Sequence, residues 1–376
     1  MKKVFAVLLC LLMLVGMTGC KTPDKPADKK NTIYVLGPRP DHGWTAQAGF
    51  YADRTVKEIN AKGKYKAVYF AASTGEEQVD HVNTILANGD ALAVVFFAQD
   101  DGAKAGQEAL IDAKIPFISF DRIIEGPDKF AILNASGDNW QCGAGIAYWL
   151  VSKGMAPGAT LLTLWGDNGT VCKRRQEGFE QFLRGEIKYY DKHLDKTFEI
   201  EKAWTKDEVA ALIKDYQHVV EPNWSAEGAY KYLEQVLPDV VKKAKANNGK
   251  LFIYSMDDEM TFGMMNLIES NALDAAVKAD LEALEVYISA IGGMQELYDV
   301  IAGTSKQAPV AQKYFEDIMS VFFSPKMMEF VINYMLDYLD NPAAWPYKVG
   351  DGKYEPVWIV DKSNVDKYEG FKGHAE

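Results

Sequence analysis

Cysteine, histidine and basic residues are all scarce in this sequence. Four cysteines among 376 residues exclude a disulfide-framework protein. The five histidines are scattered, and no C-x-x-C or His/Cys pair has metal-binding spacing. Asp and Glu number 53 against 41 Lys and Arg, a formal net charge of −12. This balance argues against duplex nucleic acid as a partner, because phosphate binding needs clustered Lys and Arg.

Long apolar segments are also missing beyond the N-terminus. No later stretch of about 20 residues is apolar and uncharged, so we expect the body of the protein to fold outside a bilayer. Apolar residues make up 48% of the chain and aromatic residues 12%, which is enough surface to build a large core and excludes general disorder. The length predicts two domains rather than one.

The first residues form an export signal. Residues 1–3 are a short basic region, and residues 4–15 are an apolar run too short to span a bilayer. The following Gly16-Met17-Thr18-Gly19-Cys20 resembles the bacterial lipoprotein box, which implies removal of residues 1–19 and acylation of Cys20. Cleavage of an ordinary secretory signal nearby is the alternative. Residues 20–31 are then a lipidated, flexible tether rich in Lys, Asp and Pro.

Two cysteines remain in the body, Cys142 and Cys172. Export makes a disulfide between them chemically possible. Each can equally be a small, buried apolar residue near the start of a helix, and we favour unpaired thiols.

The body alternates apolar strands with amphipathic helices. Predicted strands 32–36, 67–71, 92–98 and 116–120 alternate with helices in the first half. The pattern restarts near residue 138. Strands that are apolar on both faces and separated by helices predict an α/β fold with parallel sheets. The second half is predicted to contain helices 139–153, 173–185, 207–216, 226–247, 259–270, 293–302 and 325–340, with strands 159–165, 217–221, 251–255, 284–290, 318–323 and 356–360.

Polar and aromatic residues gather where these strands end, which is where open α/β sheets bind ligands. Carboxylates, amides and Arg satisfy sugar hydroxyls, and Trp covers the C–H face of a sugar ring. Singly, each residue has a plainer interpretation: Asp138 or Asp258 as a helix N-cap, Trp44 or Trp224 as a core aromatic, and Asp121 with Arg122 as a surface pair. The strand-end segments are 41–44, 73–76, 99–101, 121–122, 138–140, 165–168, 223–224 and 257–259.

Four ordered segments resemble the bacterial sugar-binding proteins of ABC transporters, the ribose/xylose/galactose type of periplasmic binding protein. The similarity runs over roughly residues 32–345. Asn223-Trp224 is also similar to the xylose-type Trp segment. The four segments are IPFISFDR (115–122, family IPVI-x-x-DR), SGDN (136–139, family SDN), GTVCKRRQEGF (169–179, family ARxRxEGF) and SMDDEM (255–260, family xNDEMA).

The resemblance implies two Rossmann-like domains joined by a three-segment hinge around a ligand cleft. It places the first domain at 32–134 plus 324–351 and the second at 135–323 plus 352–376. It implies a sugar ligand, ABC permease subunits as partners and no cofactor. The sparse Asp191 and Asp195 cannot supply the calcium loop of some galactose-type members. Strand-end position and the resemblance together give the expected ligand-binding residues. The strand end gives Asp41 and Trp44, and the resemblance implies Asp121, Arg122, Asn139, Lys173 and Arg174 (where the family has Arg before EGF), Trp224 and Asp258.

We therefore expect a monomeric, extracytoplasmic lipoprotein that captures a sugar for a permease and makes or breaks no bond. A receptor module with the same pocket, docking on a chemoreceptor or sensor, is one alternative. A binding protein for a nucleoside or a quorum signal is another. A glycosidase using Asp257 and Asp258 is disfavoured, because adjacent carboxylates usually diverge, whereas the two that flank a scissile bond lie about 5–9.5 Å apart.

Overall fold

The computed structural model describes residues 30–40, 43–214, 217–219 and 224–373, with the backbone alone for 217–219. The described residues form fourteen strands. They are β1 Thr32–Pro38, β2 Lys66–Ala72, β3 Ala91–Phe97, β4 Phe117–Phe120, β5 Leu133–Gly137, β6 Thr160–Trp165, β7 Tyr189–Asp191, β8 Lys196–Phe198, β9 Gln217–Val219, β10 Lys250–Ser255, β11 Glu285–Gly292, β12 Asp317–Phe322, β13 Gly352–Glu355 and β14 Trp358–Asp361.

Twelve α-helices cover these strands in the described chain. Six of the twelve start with a side-chain cap, such as Thr74, which accepts a hydrogen bond from the amide of Glu77. The helices are α1 Gly43–Lys62, α2 Gly75–Asn88, α3 Lys104–Asp112, α4 Asn139–Ser152, α5 Thr170–Leu183, α6 Lys206–Ile213, α7 Ala226–Asn247, α8 Asp258–Glu269, α9 Ala275–Glu282, α10 Gln295–Ala302, α11 Ala308–Tyr314 and α12 Met327–Asp340.

Two six-stranded sheets organise the protein. The first has the order β13-β5-β4-β3-β1-β2 and is parallel throughout. The second has the order β14-β12-β11-β10-β6-β9 and is parallel except for β14. Central strands such as β3 and β6 are buried along almost their whole length, because helices cover both faces of each sheet. The predicted α/β class with two parallel-sheet domains is confirmed.

The chain passes between the sheets three times. It leaves the first sheet after β5, returns after β12 into α12, which packs on α1 and on the first sheet, and leaves again between β13 and β14. The boundaries expected at 134 and 352 need correction. Residues 352–355 pair with Asn134–Gly137, so both segments belong to the first sheet.

Several short elements lie in segments without a clear hydrophobic period. The strand β5 and the hairpin β7–β8 were not predicted, nor were α9, α11 and β13. Cys142 and Cys172 are buried and unpaired, as favoured from the sequence. Burial raises the pKa of each thiol to about 12. No helix in the described part of the chain is long and apolar enough to cross a membrane.

Candidate ligand-binding cleft

A cavity of about 510 Å³ opens at the carboxyl ends of strands from both sheets. In each sheet it lies where the strand order reverses, between β1 and β3 in the first and between β6 and β10 in the second. Its volume falls in the range of small-molecule sites. The described charged and aromatic side chains that line it are Arg39, Arg122, Arg175, Asp100, Asp101, Asp121, Asp167, Asp257, Glu259, Trp44, Phe97, Trp224 and Phe323.

Asp121 and Arg122 enter the cavity directly after β4. The amide of Asp121 still bonds to the carbonyl of Ala135 in β5 at 2.8 Å, but its φ of +59° turns the chain sharply away from the sheet. Left-handed backbone in a non-glycine residue is strained and is concentrated at functional sites. Among the described residues, Asp121 Oδ1 and Arg122 Nε are buried without a hydrogen-bond partner. Burial raises the pKa of Asp121, and the cations of Arg175 and Arg122 oppose this shift.

Arg122 meets Asp167 across the cleft. Its Nη2 donates to Asp167 Oδ2 at 2.8 Å, and only 7% of Arg122 is exposed. The same Oδ2 accepts from Trp224 Nε1 at 2.9 Å, and Oδ1 accepts from the amide of Gly169 at 2.6 Å. Arg122 follows a strand of the first sheet, whereas Asp167 and Trp224 follow strands of the second. One carboxylate therefore orients cavity groups from both domains.

Two tryptophans, Trp44 and Trp224, contribute aromatic surface from opposite domains. Trp44 donates from Nε1 to the carbonyl of Phe323 at 2.7 Å, and its ring stacks on Phe120 with centroids 6.2 Å apart. Trp224 has a φ of +60°, an unusual conformation for a bulky residue. The guanidinium of Arg175 lies 5.5 Å from its ring centroid.

Arg175, rather than Lys173 or Arg174, is the cation that α5 supplies to the cavity. Arg175 is 5% exposed and donates to the carbonyl of Met256. Lys173 is exposed, and the Arg174 guanidinium lies 4.7 Å from the ring of Trp140; neither lines the cavity. Residues two apart on a helix point in nearly opposite directions. The placement of Lys173 and Arg174 in the site is therefore corrected.

Asn139 also lies behind the cavity rather than in its wall. The residue is 1% exposed, and its Oδ1 accepts from Arg175 Nε at 2.9 Å. Its Nδ2 donates to Ser136 Oγ at 3.2 Å. Asn139 thus fixes the direction of Arg175 and does not reach the cavity itself, which corrects its assignment as a ligand contact.

The two neighbouring carboxylates Asp257 and Asp258 have different surroundings. Asp257 caps α8, accepts from the amide of Glu259 at 2.8 Å and lines the cavity. Asp258 is 0% exposed. Its Oδ2 accepts from the amides of Gly293 and Met294 at 2.7 Å each, and Oδ1 accepts from Ser320 Oγ at 2.8 Å. The expectation that Asp258 faces the cavity is corrected: its hydrogen bonds tie α8 to the loop after β11 and to Ser320 in β12.

Sequence reasoning missed Arg175, Asp167, Asp257 and Phe323. The available signal for Arg175 was the family segment ARxRxEGF: aligned on EGF at 177–179, its second Arg falls on Arg175. Asp41 lies outside the described residues. Within the described part of the chain, no three His, Cys, Asp or Glu side chains cluster to hold a metal ion.

Comparison with known proteins agrees with this architecture. A galactofuranose-binding protein is similar at 17% identity and a TM-score of 0.61, with 90% of this chain and 96% of that one covered. The same TM-score relates this chain to an ABC transporter solute-binding protein from Bacillus halodurans with bound myo-inositol (16% identity, 92% and 99% covered) and to a Caulobacter myo-inositol-binding protein (17%, 91% and 97%).

Curated protein sequences give no match to this chain. The sequence profile described as "Periplasmic binding protein domain" matches residues 33–339. That family and the solved neighbours are substrate-binding transport proteins, not enzymes. The chain belongs to the periplasmic binding protein family, and its solved neighbours share its fold.

Proposed function

We propose that this protein is the lipid-anchored substrate-binding component of an ABC transporter and captures a monosaccharide or related sugar outside the cytoplasm. The cavity between the two sheets carries the proposal, because both domains contribute charged and aromatic side chains to it. The solved neighbours bind galactofuranose and myo-inositol, which are neutral polyols.

The polar groups of the cavity suit hydroxyl ligands. Asp121 Oδ1 can accept a hydrogen bond from a sugar hydroxyl, and Arg122 Nε and the Arg175 guanidinium can donate hydrogen bonds to hydroxyl oxygens. A buried polar atom without a partner costs about 1–3 kcal/mol. A sugar that bonds to Asp121 Oδ1 and Arg122 Nε recovers that cost, while Trp44 and Trp224 cover its C–H faces.

Hinge closure follows from the placement of these groups on two domains. Arg122 and Asp121 belong to the first, whereas Arg175 and Asp257 belong to the second. A ligand that needs both sets binds the closed arrangement better and shifts the population toward it. The three crossings of the chain are the proposed hinge.

Cys20 anchors the protein to a membrane in this proposal, and the tether of residues 20–31 holds the two domains away from the surface. The closed monomer then delivers its sugar to the permease subunits. The predicted export signal of residues 1–19 supports this location.

A thermal-shift screen tests the function. The mature chain is heated with pentoses, hexoses in pyranose and furanose forms, inositols, nucleosides and a buffer blank. A sugar at 100 times its Kd adds about 2.7 kcal/mol of stability. We expect at least one sugar or inositol to raise Tm in the wild type and in Lys173→Ala, but not in Arg122→Ala. A response only to nucleosides, or an equal response in Arg122→Ala, contradicts the proposal.

A further inference from the structure

The Asp167 carboxylate occupies a position that the sequence motifs do not explain. It follows β6 of the second domain, yet it contacts Arg122, which follows β4 of the first. The side chains of Arg122 and Asp167 are only 9% and 14% exposed. Both are therefore largely withdrawn from solvent in the arrangement that brings the domains together.

The three bonds of Asp167 also define its direction. Gly169 holds Oδ1 from within the loop, and Trp224 and Arg122 share Oδ2. The carboxylate is thus fixed on its own domain by two donors before the third arrives from the other domain. Burial raises the pKa of Asp167, but the bonds and charge of Arg122, with the donors Trp224 and Gly169, lower it overall.

Gly169 leaves the space through which Arg122 reaches Asp167. A Cβ at position 169 would lie 2.2 Å from Arg122 Nη1 and 2.9 Å from Asp167 Oδ1. The φ of Gly169 is −78°, a value that alanine adopts without strain. Gly169→Ala therefore obstructs the arginine without a backbone penalty and without removing a charge.

We propose that Asp167 is a positioning residue, and that its ion pair with Arg122 favours the closed arrangement of the two domains without help from a ligand. Opening at the hinge separates Arg122 from Asp167. The pair forms only in the closed arrangement, so the free energy of the ion pair stabilises the closed arrangement relative to the open one. It also orients Arg122 and Trp224 toward the cavity; this second role rests on the proposed function.

Small-angle X-ray scattering of the mature chain without added sugar tests closure. We expect Asp167→Asn and Gly169→Ala each to increase the radius of gyration and to lower the closed-to-open ratio at least fivefold. Asp317→Asn is the matched control. It removes a partly buried ion pair, Lys153–Asp317 at 2.6 Å, that lies within the second domain. The control should scatter like the wild type.

Unchanged scattering in Asp167→Asn and Gly169→Ala overturns the proposal, as does opening in the control to the same extent. Opening in Asp167→Asn alone also overturns it, because the effect then does not pass through Arg122. If the screen yields a sugar, the apparent Kd of both variants should rise about as much as the closed fraction falls. A screen without any hit refutes the proposed function and leaves the scattering result as it stands.

Discussion

Asp258→Asn measures what the buried Asp258 carboxylate does for the fold. Burial raises its pKa to about 6, well above the ordinary 3.8, although the Met294 and Gly293 amides and the Ser320 hydroxyl pull it down. An acid whose pKa is higher in the folded state holds its proton more tightly there. Stability from this group is therefore present at low pH and is lost as pH rises from about 4 to about 6.

The size of the effect follows from the shift. A difference of about two pKa units corresponds to about 3 kcal/mol over the full range. Between pH 4.5 and pH 7.5 about 2 kcal/mol of this should be visible. Asparagine keeps an oxygen for the two amides and offers an N–H to Ser320, so it preserves the bonds and removes the titration. Asp258→Ala leaves the Met294 amide and the Ser320 hydroxyl without an acceptor, at about 1–3 kcal/mol each, whereas the Gly293 amide still bonds to Ser320 Oγ at 3.1 Å.

Urea unfolding of the wild type and Asp258→Asn at pH 4.5, 5.5, 6.5 and 7.5 is the assay. We expect the free energy of unfolding of the wild type to fall by about 2 kcal/mol relative to that of Asp258→Asn between pH 4.5 and pH 7.5. Sugar affinity should stay within about threefold, because Asp258 does not line the cavity. Free energies of unfolding of the wild type and Asp258→Asn that change equally with pH would refute this reasoning. A variant of normal stability that no longer binds sugar would also refute it and would place Asp258 in the binding site.

Three further outcomes are expected. Gly166→Ala should weaken sugar binding at least tenfold, measured by calorimetry, since a Cβ there would lie 2.0 Å from the Trp224 ring; wild-type affinity would contradict the placement of that ring. Arg175→Lys should weaken sugar binding at least about 30-fold, because lysine lacks the planar fork of the guanidinium. Lys173→Ala, on the same helix, is the control and should bind like the wild type. Equal affinity of Arg175→Lys and the wild type would reject Arg175 as a ligand contact. Cys20→Ala should release the protein from membranes in fractionation and abolish palmitate labelling, whereas continued membrane association would reject the lipoprotein assignment.

The alternation of strands and helices was predictable because the central strands are apolar on both faces. The strand β10, predicted at 251–255, runs from Lys250 to Ser255, and α7 has the bounds predicted for it, 226–247. The strand β5, with the sequence LNASG, lacks that apolar signal and was missed, although it is fully buried. Its Asn and Ser side chains are buried because they bond to neighbouring segments, which no periodicity reveals.

The site was predictable as a region but less so as a set of side chains. Strand ends located Arg122 and the loops of Trp44 and Trp224. They could not separate Asp257 from Asp258, because consecutive residues at a helix start diverge and tertiary packing decides which one faces the cavity. Asp167 lies in the predicted strand-end segment 165–168 but was not assigned to the site, because its role depends on a residue of the other domain 45 positions away.

Calorimetric titration of the best sugar from the screen tests the central claim, that a sugar binds between the two domains and is held by both. The account predicts one sugar per chain in the wild type. It also predicts a loss of at least about 100-fold, or ~2.7 kcal/mol, in Arg122→Ala on the first domain and in Arg175→Ala on the second. Wild-type affinity in either variant, with both variants folded, would contradict the claim.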